Sequence, residues 1–228
     1  MSKIWYLSPS NQGENIGIDG YGSEKEQMTK LVDEITPHLD RAGVSFHIAD
    51  PELTIQQRVQ ESNNMKARFH LALHSNAGGK GLACGPVAYY YSNAGKAFGE
   101  MVVDALLALG QRNNRYENIK QEKHFCELQK TTAPACLLEV DFHDSSAGAA
   151  FLTRRRKEIG EAIAKVIIQS DGKEFVPVTR GECRDLCRQW GLFDDRDGVY
   201  HWDKPLTREE AAILAVRLKD LIEREVRK

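Results

Sequence analysis

Three groups of polar side chains stand next to apolar runs, where chemistry could take place. His74 directly follows the apolar run 69–73, Glu139 lies inside the apolar run 136–142, and Glu24 opens a helical pattern after a polar loop that contains Gln12 and Asn15. In parallel α/β sheets, functional side chains collect at the carboxyl ends of the strands. Together, the three positions therefore predict a site that holds a metal ion or performs acid–base chemistry.

Each of these residues also has a structural interpretation. A single histidine such as His74 is usually a hydrogen-bonded structural group, and an acid such as Glu24 is favourable near the positive end of a helix dipole. Glu139 is harder to explain in this way, because a buried carboxylate is costly unless it is paired or ligates a metal. Alternation along a strand further predicts that Glu139, Asp141 and His143 share one face.

The elements that must position these residues alternate between strands and helices. This pattern predicts an α/β fold, with a mostly parallel twisted sheet flanked by helices on both faces. Apolar periodicity predicts strands at 4–7, 44–48, 69–73, 87–91 and 136–142, and helices at 24–41, 55–64, 94–109 and 147–169.

The chain is predicted to have two parts, with residues 1–170 as a catalytic domain and 171–176 as a linker. Residues 177–228 form a small C-terminal α-helical module in this prediction. Its two helices begin at an internal repeat, in which Thr179 and Glu182 are echoed by Thr207 and Glu210. A threonine followed three residues later by glutamate is a capping box that opens a helix.

The composition excludes several classes of protein. The chain has 228 residues, 41% of them hydrophobic, and a formal charge of −2, so no basic surface predicts binding to nucleic acid or to an anionic membrane. Five cysteines without a C-x-x-C pair predict reduced thiols. The N-terminus lacks the apolar segment of a signal peptide, so we expect synthesis in the cytoplasm.

Three motifs give the sequence a resemblance to a known family. They are Tyr21-Gly22-Ser23-Glu24, His74-Ser75-Asn76-Ala77-Gly78, and the stretch from Pro134 to Phe142. Over roughly residues 3–170 the chain resembles the zinc-dependent N-acetylmuramoyl-L-alanine amidases of type 3. The stretches 8–12 and 141–144 resemble a subgroup of these amidases from clostridia-like bacteria and their phages.

The resemblance implies a peptidoglycan hydrolase that cuts the amide between N-acetylmuramic acid and L-alanine of the stem peptide. It implies Glu24 and His74 as zinc ligands and Glu139 as the catalytic carboxylate. Asn15, Asn76 and Asp141 are then candidates for binding substrate or supporting the ligands. Without an export signal, such an enzyme would reach the wall as phage or prophage endolysins do, or by an unrecognised route.

The sequence departs from the family at one ligand position. Most members place a histidine just after the first strand, where this chain has Gln12. An amide oxygen is a poorer zinc ligand than imidazole. Three alternatives follow: Gln12 ligates through its carbonyl, His143 supplies the missing nitrogen, or the metal is lost and the domain only binds the cell wall. We expect the metal to be retained, because Glu24, His74 and Glu139 are all present.

The C-terminal module resembles part of an S-layer homology repeat, through residues 191–193, 198–200 and 205–212. This resemblance implies binding to a secondary cell-wall polymer. A helical pair that packs on the catalytic domain or forms a dimer contact is the alternative. For the catalytic domain, a zinc peptidase that cuts within the stem peptide is an alternative activity.

Overall fold

The computed structural model describes residues 4–78, 81–176 and 215–216. The chain divides into two units, Met1–Val176 and Pro177–Lys228. The predicted C-terminal module lies outside the described residues, apart from the helical pair 215–216. Among the described residues, no helix has both the length and the apolar character needed to cross a bilayer.

The first unit is built on a six-stranded sheet with the strand order β2-β1-β3-β6-β4-β5. Neighbouring strands are parallel, except that β4 runs antiparallel to β6. The predicted α/β fold with a mostly parallel sheet is therefore confirmed. The strands are β1 (Trp5–Pro9), β2 (Phe46–Ile48), β3 (Phe69–Asn76), β4 (Val87–Tyr90), β5 (Ile119–Gln121) and β6 (Ala135–Phe142).

Six helices accompany the sheet in the described part of this unit, and two of them begin and end where the sequence predicts. The helices are α1 (Glu24–Arg41), α2 (Ile55–Asn64), α3 (Asn93–Leu107), α4 (Cys126–Gln129), α5 (Ser146–Arg154) and α6 (Arg156–Ser170). The single helix predicted at 147–169 is wrong, because the backbone at Arg155 leaves the helical conformation and separates α5 from α6. The short elements β5 and α4 are not in the prediction.

The two faces of the sheet carry different cores. Alternate residues of β1, β3 and β6, such as Leu7, Leu71 and Leu138, belong to the main hydrophobic cluster with α1, α3, α5 and α6. The intervening residues, such as Ala72 and Leu137, belong to smaller clusters on the side of α2 and α4. By this alternation, His70, His74 and Glu139 lie on the α2–α4 side.

The register between the two central strands changes at the position of the candidate site. His74 pairs with Glu139, but Asn76 pairs with Phe142, so β6 contains one extra residue between these two pairs. Such a bulge turns the following side chains to the opposite face. Beyond Glu139, the simple alternation of β6 therefore no longer holds.

Residues 171–176, which we predicted as a linker, belong to the first unit and contact its strands and helices. The indole Nε1 of Trp5 donates to Asp171 Oδ1 at 3.2 Å, and Arg68 forms an ion pair with the same oxygen at 2.9 Å. The ring of Phe175 packs 5.5 Å from that of His38. The end of α6 is thereby fixed to the beginning of β1.

Candidate active site

Glu24 and His74 come together at the carboxyl end of the sheet. The side chain of Ser23 caps α1 and makes Glu24 the first helical residue, where it is 1% exposed. His74 follows the apolar part of β3, and its Nδ1 lies 2.8 Å from Glu24 Oε1. The same oxygen accepts a hydrogen bond from the Ser75 backbone N–H at 3.4 Å. The sequence-predicted pair is thus assembled by a helix start and a strand end.

Asn15 connects Gln12 to this pair. Asn15 Nδ2 lies 2.6 Å from Gln12 Oε1 and 2.8 Å from Glu24 Oε2. An ionised carboxylate only accepts hydrogen bonds, so the amide nitrogen of Asn15 must face Glu24. Its second hydrogen then faces the carbonyl oxygen of Gln12. Gln12 consequently directs its Nε2, a donor, toward His74 Nδ1 at 3.4 Å.

Glu139 stands opposite His74 in the strand register, and its side chain is only partly exposed. Its Oε2 is buried and has no hydrogen-bond partner among the described residues. Burial raises the pKa of Glu139 to about 7; the positive charge of His74 opposes this shift, and the negative charge of Glu24 adds to it. A carboxylate that titrates near neutral pH is suited to accept and return a proton.

A second acid, which the sequence did not indicate, lies beside His74. Glu127, in α4, is 3% exposed, and its Oε2 lies 3.9 Å from His74 Nε2. Its Oε1 lies 3.0 Å from Nε2 of His70, a fully buried histidine that the sequence did not mark. The available signal was the alternation in β3, since His70 and His74 are four residues apart and therefore share a face.

These acids determine the charge of His74. Burial alone would lower the pKa of the imidazole, but the carboxylates of Glu127 and Glu24, which face its two nitrogens, and the charge of Glu139 raise it to about 10. The pKa of Glu24 is correspondingly lowered. Burial opposes this shift, but the hydrogen bond with His74, the charge of His74 and the hydrogen bond from Asn15 together outweigh burial. The site therefore holds a positively charged imidazole between carboxylates.

The structure does not bring His143 to the Glu24–His74 pair. Its Nδ1 lies 2.8 Å from Ser75 Oγ, and its ring stacks on Tyr21 with the centroids 5.5 Å apart. The reason is the extra residue in β6, which ends the alternation on which the shared-face prediction depended. His143 instead belongs to a buried network on the α1 side, in which Tyr21 Oη lies 2.7 Å from Ser75 Oγ.

Asp141 and Asn76 support the backbone around the site. Asp141 is 1% exposed, accepts from Gln111 Nε2 at 2.6 Å, and accepts from the backbone N–H of Gly85 at 3.0 Å. Asn76 accepts a hydrogen bond from the backbone N–H of His143 at 2.9 Å through its own backbone oxygen. In the structure these two residues fix the ends of β3 and β6.

Ser75→Ala is expected to lower the free energy of unfolding by about 1–3 kcal/mol, because it leaves Tyr21 Oη and His143 Nδ1 buried without a partner. Ser62 is the matched control, since its Oγ is buried and has no partner among the described residues. Ser62→Ala should change stability by much less. Chemical denaturation of both variants measures the difference, and equal losses would contradict the importance of the network.

The side chains present fit a zinc ion in part. Glu24 Oε1 and His74 Nδ1 are of the types that zinc prefers, and they face one another. The unpartnered Glu139 Oε2 lies on the same side of the sheet. Within residues 4–78 and 81–176, however, no three His, Cys, Asp or Glu side chains are grouped so as to hold a metal. Gln12 could become a third protein ligand only through its carbonyl oxygen, after rotation of its amide.

Fold and site together define an α/β protein with a histidine and several carboxylates at the carboxyl ends of its central strands. The comparison with known families makes this class specific. The chain belongs to the N-acetylmuramoyl-L-alanine amidase family, whose sequence profile matches residues 8–169.

Individual relatives are distant in sequence. N-acetylmuramoyl-L-alanine amidase CwlM of Bacillus licheniformis is 23% identical over 209 residues, which cover 88% of this chain and 73% of that protein. The catalytic domain of CwlV, an amidase from Bacillus (Paenibacillus) polymyxa, superimposes with a TM-score of 0.66 at 22% identity, covering 75% of this chain and 99% of that domain.

A third similar structure is the catalytic domain of the CD27L endolysin targeting Clostridia difficile. Its TM-score is 0.61 at 18% identity, and the match covers 74% of this chain and 98% of that domain. At these identities the structural likeness shows the shared fold.

Proposed function

We propose that this protein hydrolyses peptidoglycan at the amide between N-acetylmuramic acid and L-alanine, with a zinc ion at the Glu24–His74 pair. Membership of the amidase family supports the substrate. The observation that carries the mechanism is Glu139, a half-buried side chain opposite His74, whose pKa is raised to about 7 and whose buried Oε2 has no partner among the described residues.

In this proposal Glu24 and His74 hold the zinc ion. When bound there, the ion would supply a water molecule of lowered pKa and would polarise the scissile carbonyl. Glu139 accepts the proton of the attacking water and returns it to the nitrogen of the leaving L-alanine. Asn15 Nδ2 donates a hydrogen bond to the second carboxylate oxygen of Glu24, Oε2, and so fixes the orientation of this proposed ligand.

Gln12 has a separate place in this mechanism. Its Nε2–H faces the site because Asn15 occupies its carbonyl oxygen. We assign it the hydrogen bond to an oxygen of the bound muropeptide. A donor directed at the carbonyl that becomes negatively charged stabilises the transition state.

A second candidate function has one specific observation in its favour. The donor end of Gln12 faces His74, and the described residues contain no third histidine or acid grouped with the pair as a ligand. A protein that has lost the metal would bind the cell wall without cutting it. Residues 177–228 would then provide a further contact with the cell wall, by binding a secondary cell-wall polymer.

Digestion of purified peptidoglycan separates these functions. Mass spectrometry should detect intact muramic acid and stem peptides with a free N-terminal L-alanine, and the metal content of the purified protein should approach one zinc per chain. Cleavage inside the stem peptide would identify a peptidase. A metal-free protein that sediments with cell walls and releases nothing would identify a binding protein.

The route to the wall follows from the same proposal. Action as an endolysin, the class named for one solved structure of similar fold, predicts that the protein lyses cells from within only when the membrane is permeabilised. Expression with and without a membrane-permeabilising protein, followed by culture turbidity, tests this route. Lysis without permeabilisation would indicate export instead.

A further inference from the structure

We propose that Glu127 is a positioning residue that fixes the His74 ring through Nε2, so that Nδ1 is directed at Glu24 and the proposed metal. Glu127 lies in α4, outside the motifs that carry the family resemblance. Its Oε2 is 3.9 Å from His74 Nε2, while His74 Nδ1 is 2.8 Å from Glu24 Oε1. The imidazole is therefore held from opposite sides by two carboxylates.

The other oxygen of Glu127 fixes the carboxylate itself. Oε1 accepts a hydrogen bond from Ser8 Oγ at 2.5 Å and lies 3.0 Å from His70 Nε2. With both partners on Oε1, Oε2 is left to face His74. Rotation of the carboxylate would break two buried hydrogen bonds, so its direction is determined by β1 and β3.

A rigid frame stands behind this arrangement. Ser8 accepts a hydrogen bond from Arg58 Nη1 at 3.2 Å, and Arg58 is 1% exposed. The guanidinium also donates to the backbone oxygens of Pro9, Leu53 and Asp50. Arg58 therefore anchors the loop ends after β1 and β2 to the hydroxyl that orients Glu127.

Burial of so many polar groups requires a reason beyond packing. An apolar residue would fill the space of Glu127 without the cost of desolvating a carboxylate. A histidine that ligates a metal usually donates its other ring N–H to a carboxylate, which sets the tautomer and the ring orientation. The ion pair between Glu127 Oε2 and His74 Nε2, at 3.9 Å, places a carboxylate beside this other nitrogen, while Nδ1 faces Glu24, the proposed zinc ligand.

Glu127→Gln tests the proposal with little change of shape. Ser8 and His70 retain an acceptor if the oxygen of the new amide stays at the place of Oε1, and the amide NH₂ then replaces the oxygen that faced His74. The amide donates to Nε2 and favours a proton on Nδ1, the atom that should face the metal. Glu117→Gln is the matched control, because Glu117 is an exposed acid in the loop between α3 and β5.

Zinc affinity, measured by competition with a chromophoric chelator, should fall by about 10–100-fold in Glu127→Gln. It should stay within about threefold of the original in Glu117→Gln, since an exposed acid away from the site has little influence on the ion. Thermal unfolding verifies that both variants are folded. A zinc affinity in Glu127→Gln equal to that of the unaltered protein would overturn the proposal.

A measurement on the metal-free protein separates this inference from the proposed function on which it rests. Nitrogen-15 NMR of the histidine rings should show a protected His74 Nε2–H in the unaltered protein and its loss in Glu127→Gln. Retention of that Nε2–H signal in the variant would overturn the proposal. If the signal is lost but the unaltered protein binds no zinc, Glu127 still positions His74, and it is the zinc-dependent function that fails.

Discussion

Glu139→Gln is expected to reduce peptidoglycan hydrolysis by about 10²–10⁴-fold, the usual contribution of a general acid–base group. The substitution keeps the shape of the side chain but removes its capacity to take a proton from water. Release of muropeptides at fixed enzyme concentration measures the effect. Zinc content should be unchanged, because Glu24 and His74 are proposed to hold the ion.

Glu24→Gln is the control that distinguishes the loss of a proton-transferring group from the loss of the zinc ion. It should lose both activity and zinc, whereas Glu139→Gln should lose activity alone. If Glu139→Gln retained more than about a tenth of the activity, Glu139 would not be the proton-transferring group. If it lost the metal as well, its carboxylate would be a ligand.

The raised pKa of Glu139 also predicts how stability depends on pH. Folding raises this pKa from 4.5 to about 7, so the folded state binds the proton more tightly than the unfolded state. The resulting stabilisation is complete below pH 4.5 and is lost as the pH rises through 7. As the pH rises from about 5 to 8, the free energy of unfolding of the metal-free protein should fall by on the order of 2–3 kcal/mol relative to that of Glu139→Gln. Urea denaturation of both proteins at the two pH values measures this, and parallel curves would contradict it.

Gln12→His should tighten zinc binding by about tenfold or more, because imidazole is a better zinc ligand than an amide. The end of the Gln12 side chain is already 3.4 Å from His74 Nδ1, so a histidine at this place reaches the same ion. Chelator competition measures the affinity. The gain should appear without any change in the fold, since Gln12 lies in a partly exposed loop.

Gln12→Ala shows what the amide contributes. Because its oxygen is bonded to Asn15, we expect zinc affinity to change by less than about threefold, while kcat for muropeptide hydrolysis falls because a hydrogen bond made in the transition state is lost. A large loss of zinc affinity in Gln12→Ala would instead identify the carbonyl of Gln12 as a ligand. An unchanged affinity in Gln12→His would mean that the ion lies elsewhere.

Much of this architecture could be predicted from the sequence. The bounds of α1 and α2 follow from apolar periodicity together with the capping residues Ser23 and Thr54, both of which accept hydrogen bonds in the structure. The proximity of Glu24 and His74 follows from strand ends that meet at one edge of a parallel sheet. These features depend on local signals or on a general property of the fold.

Other features could not be predicted, because they depend on how strands align. The extra residue in β6 leaves no signature in its apolar run, although it determines the side to which His143 turns. The contact of Glu127 with His74 depends on where a four-residue helix packs, and such short helices have no periodicity to detect. The direction of the Gln12 amide depends on a hydrogen bond from Asn15.

The bulge between Glu139 and Phe142 separates two histidines that emerge from neighbouring strands. His74 stays with the carboxylates on the α2–α4 side, and His143 is enclosed with Tyr21 beneath α1. The single extra residue therefore allows the candidate active site to occupy one side of this end of the sheet and the buried hydrogen-bond network of Tyr21 and His143 to occupy the other. Deleting the extra residue would leave Phe142 opposite Asn76 and His143 on its present side, so the loss would be limited to the buried contacts of the residue removed.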